Sequence, residues 1–168
     1  MGPTSFQRLS RVCLLAAGLT GCANYGPQSL APGAGLDEAT RTLGRPSGDY
    51  PLPDAGRRFE FARGPFGKHT WMLDFDAAGR LVGWTQVLTE ARFNTLLPGL
   101  PVDELLMRIG HPADTRPVPY QHATLWSYRY EGPFCLWFQV SVDAQSRVAD
   151  TGYAADPMCE REPRELPM

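Results

Sequence analysis

The chain is poor in the residues that most protein chemistry uses. Its 168 residues hold one lysine, Lys68, with three histidines and four cysteines. Sixteen Lys and Arg against eighteen Asp and Glu leave a formal net charge of −2. That balance excludes a strongly basic nucleic-acid binder, because neutralising phosphates takes clustered cations. None of His69, His111 and His122 stands at a ligand spacing such as H-x-x-x-H or beside a cysteine pair, so no metal site is expected. A Gly-rich phosphate loop and a nucleophile elbow are both missing, and with them the commonest signatures of a cofactor or a catalytic serine. Glycine and proline are plentiful instead, at 17 and 16. Such a chain has many turns and room for one domain, or two very small ones.

The first residues read as an address. Arg8 and Arg11 precede the apolar run Val12–Leu19, which is too short to span a bilayer and reads as a secretory signal over 1–21. It ends in Leu19-Thr20-Gly21-Cys22, similar to a bacterial lipobox, in which the Cys22 thiol takes the lipid. The mature chain would start at Cys22 with a formal charge of −4, since Arg8 and Arg11 leave with the signal. Two or more acyl chains would anchor it stably. Ala23, rather than Asp, follows the anchor, which favours an outer-membrane address facing the periplasm. Residues 22–34, rich in Gly, Pro and small polar side chains, read as a flexible tether. The charged, proline-containing stretch 157–168 reads as a disordered tail.

Between them the chain is written twice. Pro32–Pro46 aligns without gaps with Pro98–Pro112, 66 residues on, and six of fifteen positions are identical where chance gives about one. Gly64-Pro65-Phe66 recurs as Gly132-Pro133-Phe134, and Phe75–Leu81 corresponds to Val142–Val148. In each copy the spacing predicts a helix: Leu36, Ala39, Thr40 and Leu43 fall on one stripe, as do Val102, Leu105, Leu106 and Ile109. Acids fill the first turn of each, and Gly44-Arg45-Pro46 and Gly110-His111-Pro112 follow the last. A shorter helix is expected over Thr89–Leu97. Strands follow with period two, Phe59 and Phe61, then Trp71, Leu73 and Phe75, and later Leu136, Phe138, Val140 and Val142, so one sheet face is expected to be buried and the other to meet water or a partner. Asp76 and Asp143 open the hairpin turns. The expected fold is α+β: two tandem repeats, 35–88 and 89–156, each of helix followed by a three-stranded antiparallel meander, the helices packed on one sheet face.

The pattern G-h-x-x-x-x-h-x-x-h-h-G-x-P with a later F-D-x-x-G-x-h resembles the SmpA/OmlA (BamE-like) lipoprotein domain. Gly99, Leu105, Ile109, Gly110 and Pro112 carry it, with Phe75, Asp76, Gly79 and Leu81. The resemblance implies an accessory protein of the outer-membrane β-barrel assembly machinery, acting by protein–protein contact. The chain departs from the family at the helix starts, where Gly35 and Pro101 replace a Ser or Thr cap, and in carrying two copies. Tandem copies resemble the β-lactamase inhibitory proteins, and this implies an alternative: an inhibitor or binding module for a periplasmic enzyme.

Little in the sequence speaks for catalysis. Asp74 and Asp76 stand two residues apart and could do acid–base work, but Asp143 matches Asp76 and a turn role explains both. Cys135, read as part of a middle strand, and Cys159 remain after the signal and the anchor take Cys13 and Cys22. In an oxidising compartment such a pair most often forms a structural disulfide, worth roughly 3 kcal/mol for a loop of about 25 residues. The spacing of a redox-active C-x-x-C is missing. Candidate partner-binding residues are the aromatics Trp84, Trp126, Tyr128 and Trp137, with Tyr130, and Arg58, Glu60 and Arg129 as a polar rim. The expected protein is therefore a lipid-anchored, non-enzymatic interaction module with neither cofactor nor metal.

Overall fold

A computed structural model describes residues Gly26 to Cys159. The signal segment 1–21, Cys22 and most of the 157–168 stretch lie outside the described residues. Helix α1 (Leu36–Leu43) precedes strands β1 (Gly48–Pro51), β2 (Arg57–Ala62), β3 (Thr70–Phe75) and β4 (Leu81–Gln86). Helices α2 (Glu90–Phe93) and α3 (Val102–Ile109) then lead into β5 (Asp114–Val118), β6 (Ala123–Arg129), β7 (Leu136–Val142) and β8 (Val148–Ala155).

The chain is mostly β, which corrects the expected α+β architecture of helices on three-stranded meanders. The described residues form two four-stranded antiparallel sheets, ordered β1-β2-β3-β4 and β5-β6-β7-β8. The unexpected strand is the first of each sheet. β1 and β5 read GDYP and DTRPV: mainly polar, carrying a proline, and lacking the apolar alternation that marks a half-buried strand. They are edge strands, where proline's missing N–H costs no ladder bond. The described helices are also minor partners, the longest of them having eight residues, and the one expected over Thr89–Leu97 is a single turn at Glu90–Phe93 with Thr89 Oγ1 as its cap.

Each sheet has its own core. Ala39 of α1 packs with Phe61, Leu73, Phe75 and Leu81. Leu105 and Ile109 of α3 pack with Phe93, Leu96, Tyr128, Phe138, Val140 and Val142. Leu30 and Ala34 belong to the first core; the Gly33 N–H donates to the Leu81 carbonyl and the Leu81 N–H to the Ala34 carbonyl, both at 2.9 Å. From Gly26 on, the segment read as a flexible tether is therefore a packed strap, because Leu30 fills an apolar site and the prolines around it restrict the backbone. Each hairpin turn is held by its aspartate: Asp76 Oδ1 accepts from the Ala78 and Arg80 N–H groups, and Asp143 Oδ1 from those of Gln145 and Arg147, all at 2.9 Å.

The two halves are joined through the other face of the first sheet. Arg58, Glu60, Thr70, Met72 and Asp74 share that face by register, and Glu60, Thr70 and Met72 are buried. The end of α3 covers them. Arg58 donates to the Met107 carbonyl (3.2 Å) and holds Asp74 with two bonds, at 2.6 and 2.8 Å. A cation beside the last helical carbonyls also suits the negative end of the helix dipole. Glu60, fully buried, takes the His111 N–H (2.9 Å) and the Tyr50 hydroxyl (2.7 Å), and its Oε2 lies 2.8 Å from His111 Nδ1. A buried carboxylate without such partners would be costly. Burial, with Glu60 as acceptor, pushes the Tyr50 hydroxyl well above the usual phenol range. Gly110 sits tightly here at φ 78°: a Cβ would fall 2.8 Å from Glu60 Cδ and 3.0 Å from Thr70 Cγ2.

Candidate binding site at the paired loops

The residues read from sequence as a binding patch do not form one exposed surface. Trp84 stands opposite Leu73 and so lies on the core side of the first sheet, 40% exposed and packed edge-on to Trp71 at 5.2 Å. Trp126 stands opposite Val140 and packs, partly buried, on the second core. Tyr128 is fully buried among core residues, its hydroxyl donating to the Gly110 carbonyl at 3.2 Å; burial, then the Glu60 charge, drives its pKa well up. Its alternation partner is the core residue Phe138, so the expectation that Tyr128 meets a partner is corrected. Arg58 and Glu60 are spent in the joint between the halves. Trp137 alone of the four aromatics lies on the face of its sheet opposite the core, and it is buried beneath Arg129. Cys22 falls outside the described residues.

What converges instead is the end of the molecule where the β2–β3 and β6–β7 loops adjoin. Arg129, the last residue of β6, organises it. Its Nε donates to Asp156 Oδ2 at 2.8 Å and its Nη1 to the Pro65 carbonyl of the other loop. The guanidinium also lies 4.7 Å from the Trp137 ring centroid and 5.6 Å from that of Phe66, within the range of cation–π attraction. Burial alone would raise the Asp156 carboxyl; the Arg129 bond and charge, the Met158 N–H and the nearby Trp137 indole outweigh it and hold the pKa below the usual range. A second tie crosses the loops, His69 Nε2 standing 3.1 Å from Glu131 Oε2.

The disulfide joins this cluster. Cys135 and Cys159 are bonded, with Cα atoms 6.3 Å apart. Cys135 precedes β7 rather than lying within a strand, and the Asp156 N–H bonds its carbonyl at 3.1 Å. The chain past β8 is thereby drawn back as a turn through Cys159.

On this braced end, the two Gly-Pro-Phe segments hold Phe66 and Phe134 outward, each 71% exposed. Proline fixes the backbone before each ring, while the buried ion pair, the interloop tie and the disulfide hold the loops. A phenylalanine displayed from a preorganised loop loses little entropy on binding, the situation in which aromatics become hot spots. The repeated Gly-Pro-Phe was visible in the sequence as a mark of duplication; alternation arguments place strand residues and so passed over these loop tips. Between the halves runs a cleft of about 220 Å³, lined mainly by apolar atoms with His111 and Arg129. Among the described residues, no group of three or more His, Cys, Asp or Glu side chains stands where it could hold a metal ion. No helix among them is long and apolar enough to cross a membrane.

No protein-family model matches the chain, and no curated protein matches it. Solved structures that share some of its geometry include a cysteine-rich secretory protein from Staphylococcus aureus, 14% identical with a TM-score of 0.29, which covers 76% of this chain. The chain spans 45% of that protein. Another is a DUF4309 family protein from Bacillus subtilis, 10% identical with a TM-score of 0.30, the match covering 77% of this chain and 84% of that one.

Proposed function

We propose that this chain is a lipid-anchored outer-membrane protein, facing the periplasm, that works by protein–protein contact in outer-membrane protein assembly or envelope maintenance. The lipobox ending in Cys22 and the resemblance to BamE-like lipoproteins support the place of work. The observation that carries the mode of action is the display of Phe66 and Phe134 on loops braced by Arg129–Asp156 and Cys135–Cys159. The ion pair and the disulfide hold the loops from which these two rings stand out, and exposed apolar surface held in place marks an interaction site.

The alternative of an inhibitor that offers one concave sheet to an enzyme loses support, because the outer face of the first sheet is covered by the end of α3. A binding module acting through the paired loops instead is the reading to separate from assembly work. Full-length protein carrying Phe66→Ser with Phe134→Ser, expressed in a deletion strain, makes the separation. The proposal expects wild type to restore outer-membrane permeability and barrel-protein levels and the double variant to fail at normal abundance. A deletion without any envelope defect would refute the assembly role.

A further inference from the structure

The strap leaves little chain between the lipidation signal and the folded body. Gly26 and Pro27 are already buried, and the Leu30 N–H closes a tight turn on the Pro27 carbonyl at 3.0 Å. Only Ala23, Asn24 and Tyr25 stand between Cys22 and Gly26, a link of four Cα steps that reaches about 14 Å at most. Just past the turn, Leu30 and Pro32 of the strap and Leu81, Val82, Gly83 and Trp84 of β4 line an open groove of about 220 Å³. Val82 is 67% exposed there and Trp84, as noted, partly so. The groove lies at the hairpin end of the first sheet, because β4 starts at the Asp76 turn. The length of β3, about 17 Å for its six residues, separates it from the loop that bears Phe66. Cys159, bonded to Cys135, stands at the paired-loop end as well, away from this groove.

We infer that this groove rests in the membrane surface, with Val82 and Trp84 entering the boundary between headgroups and acyl chains. The inference rests on the proposed lipid at Cys22 and adds how the body sits upon it. So short a link holds the domain against the bilayer, and it starts from the strap that forms one wall of the groove. From Gly26 to Leu30 the chain makes one tight turn, about 8 Å at 2 Å per residue, so the anchor and the groove share one end of the molecule. Tryptophan suits that boundary because its ring is apolar and its N–H polar. Val82 adds apolar area, and Arg80, exposed just before them, is placed to meet phosphates. A patch this small binds a free vesicle weakly; the anchor raises its effective concentration, and weak contact is then enough. The consequence is orientation. With the hairpin end on the bilayer, the loop carrying Phe66 points away from it.

The test uses acylated full-length protein carrying an environment-sensitive fluorophore on Val82→Cys or, at the far end, on Lys68→Cys, an exposed position of the β2–β3 loop. Each is reconstituted into vesicles of dioleoylphosphatidylcholine, with and without a spin-labelled phosphatidylcholine as quencher. The label at 82 is expected to be quenched about threefold more than the label at 68. Lengthening the link before Gly26 by about ten Gly-Ser residues is expected to keep about half of that quenching or more, because the patch itself holds the lipid. Both labelled chains must keep the Cys135–Cys159 bond and melt as wild type does, which separates a missing contact from a misfolded chain. Equal quenching at 82 and 68 in anchored protein overturns the inference and leaves the lipid anchor standing. So does quenching that vanishes with the longer link, since it would report the short link alone. Protein whose N-terminal peptide has the mass of an unacylated Cys22 refutes the anchor and this inference together.

Discussion

At the scale of residues, three positions expose the physics. Ser146 holds φ 56° at the place where the first hairpin turn has Gly79. A left-handed backbone costs a non-glycine residue about 1–2 kcal/mol. Ser146→Gly removes that strain at some expense in unfolded-state entropy, and is expected to stabilise the fold by about 0.5–1 kcal/mol in urea unfolding. Asp156 is buried with Arg129. Its carboxyl is held low in the fold, so its contribution is complete above the unfolded carboxylate value, about 4, and is lost as pH falls through the folded one. Asp156→Asn strands the Arg129 charge and is expected to cost about 3 kcal/mol at neutral pH. The gap to wild type should shrink below about pH 4; a gap independent of pH would mean that the charge does not matter. On the alkaline side, burial and the Glu90 acceptor push Tyr130 up to about 12. Its neutral form is therefore favoured by the fold, and the stability it contributes is lost as pH climbs from about 10 toward that value.

Among elements, the joint at the end of α3 separates from the free end of α1 by a paired substitution. Gly44→Ala meets open space and is expected to cost about 1 kcal/mol from backbone strain. Gly110→Ala adds a collision with Glu60 and Thr70 and should cost about 3 kcal/mol or more. Equal costs in denaturant unfolding would show that the joint is loose. Alternation along β2, β3 and β7 was legible, because a buried face demands period two: Phe61, Leu73, Phe75, Phe138, Val140 and Val142 are all buried. The edge strands β1 and β5 were not, since exposed residues with a proline carry no periodic signal. Which face Trp84 takes was equally hidden. A register shift between Asp74 and Phe75 intervenes in the β3–β4 pairing, and local spacing says nothing of it.

For the whole molecule, the sequence could announce that its halves are alike but not that one sits on the other. Glu60 illustrates why. In a strand written Arg-Arg-Phe-Glu-Phe a glutamate opposite the core reads as solvated, and only the arrival of His111, 51 residues later, makes it a buried acceptor. The same holds at the loop end, where Arg129, Pro65 and Asp156 meet from three distant stretches. Long-range contacts of this kind leave no local trace. The two exposed phenylalanines were in view in the repeated Gly-Pro-Phe, and their meaning needed the bracing around them.

The most direct test of the account places a photoreactive phenylalanine analogue at position 66, 134 or 120 of the full-length protein in its native envelope. Tyr120, fully exposed and outside the paired loops, serves as control. Positions 66 and 134 are expected to capture the same protein and position 120 none of it. Capture from all three sites alike, or from neither loop, would contradict the claim that the molecule works through this end.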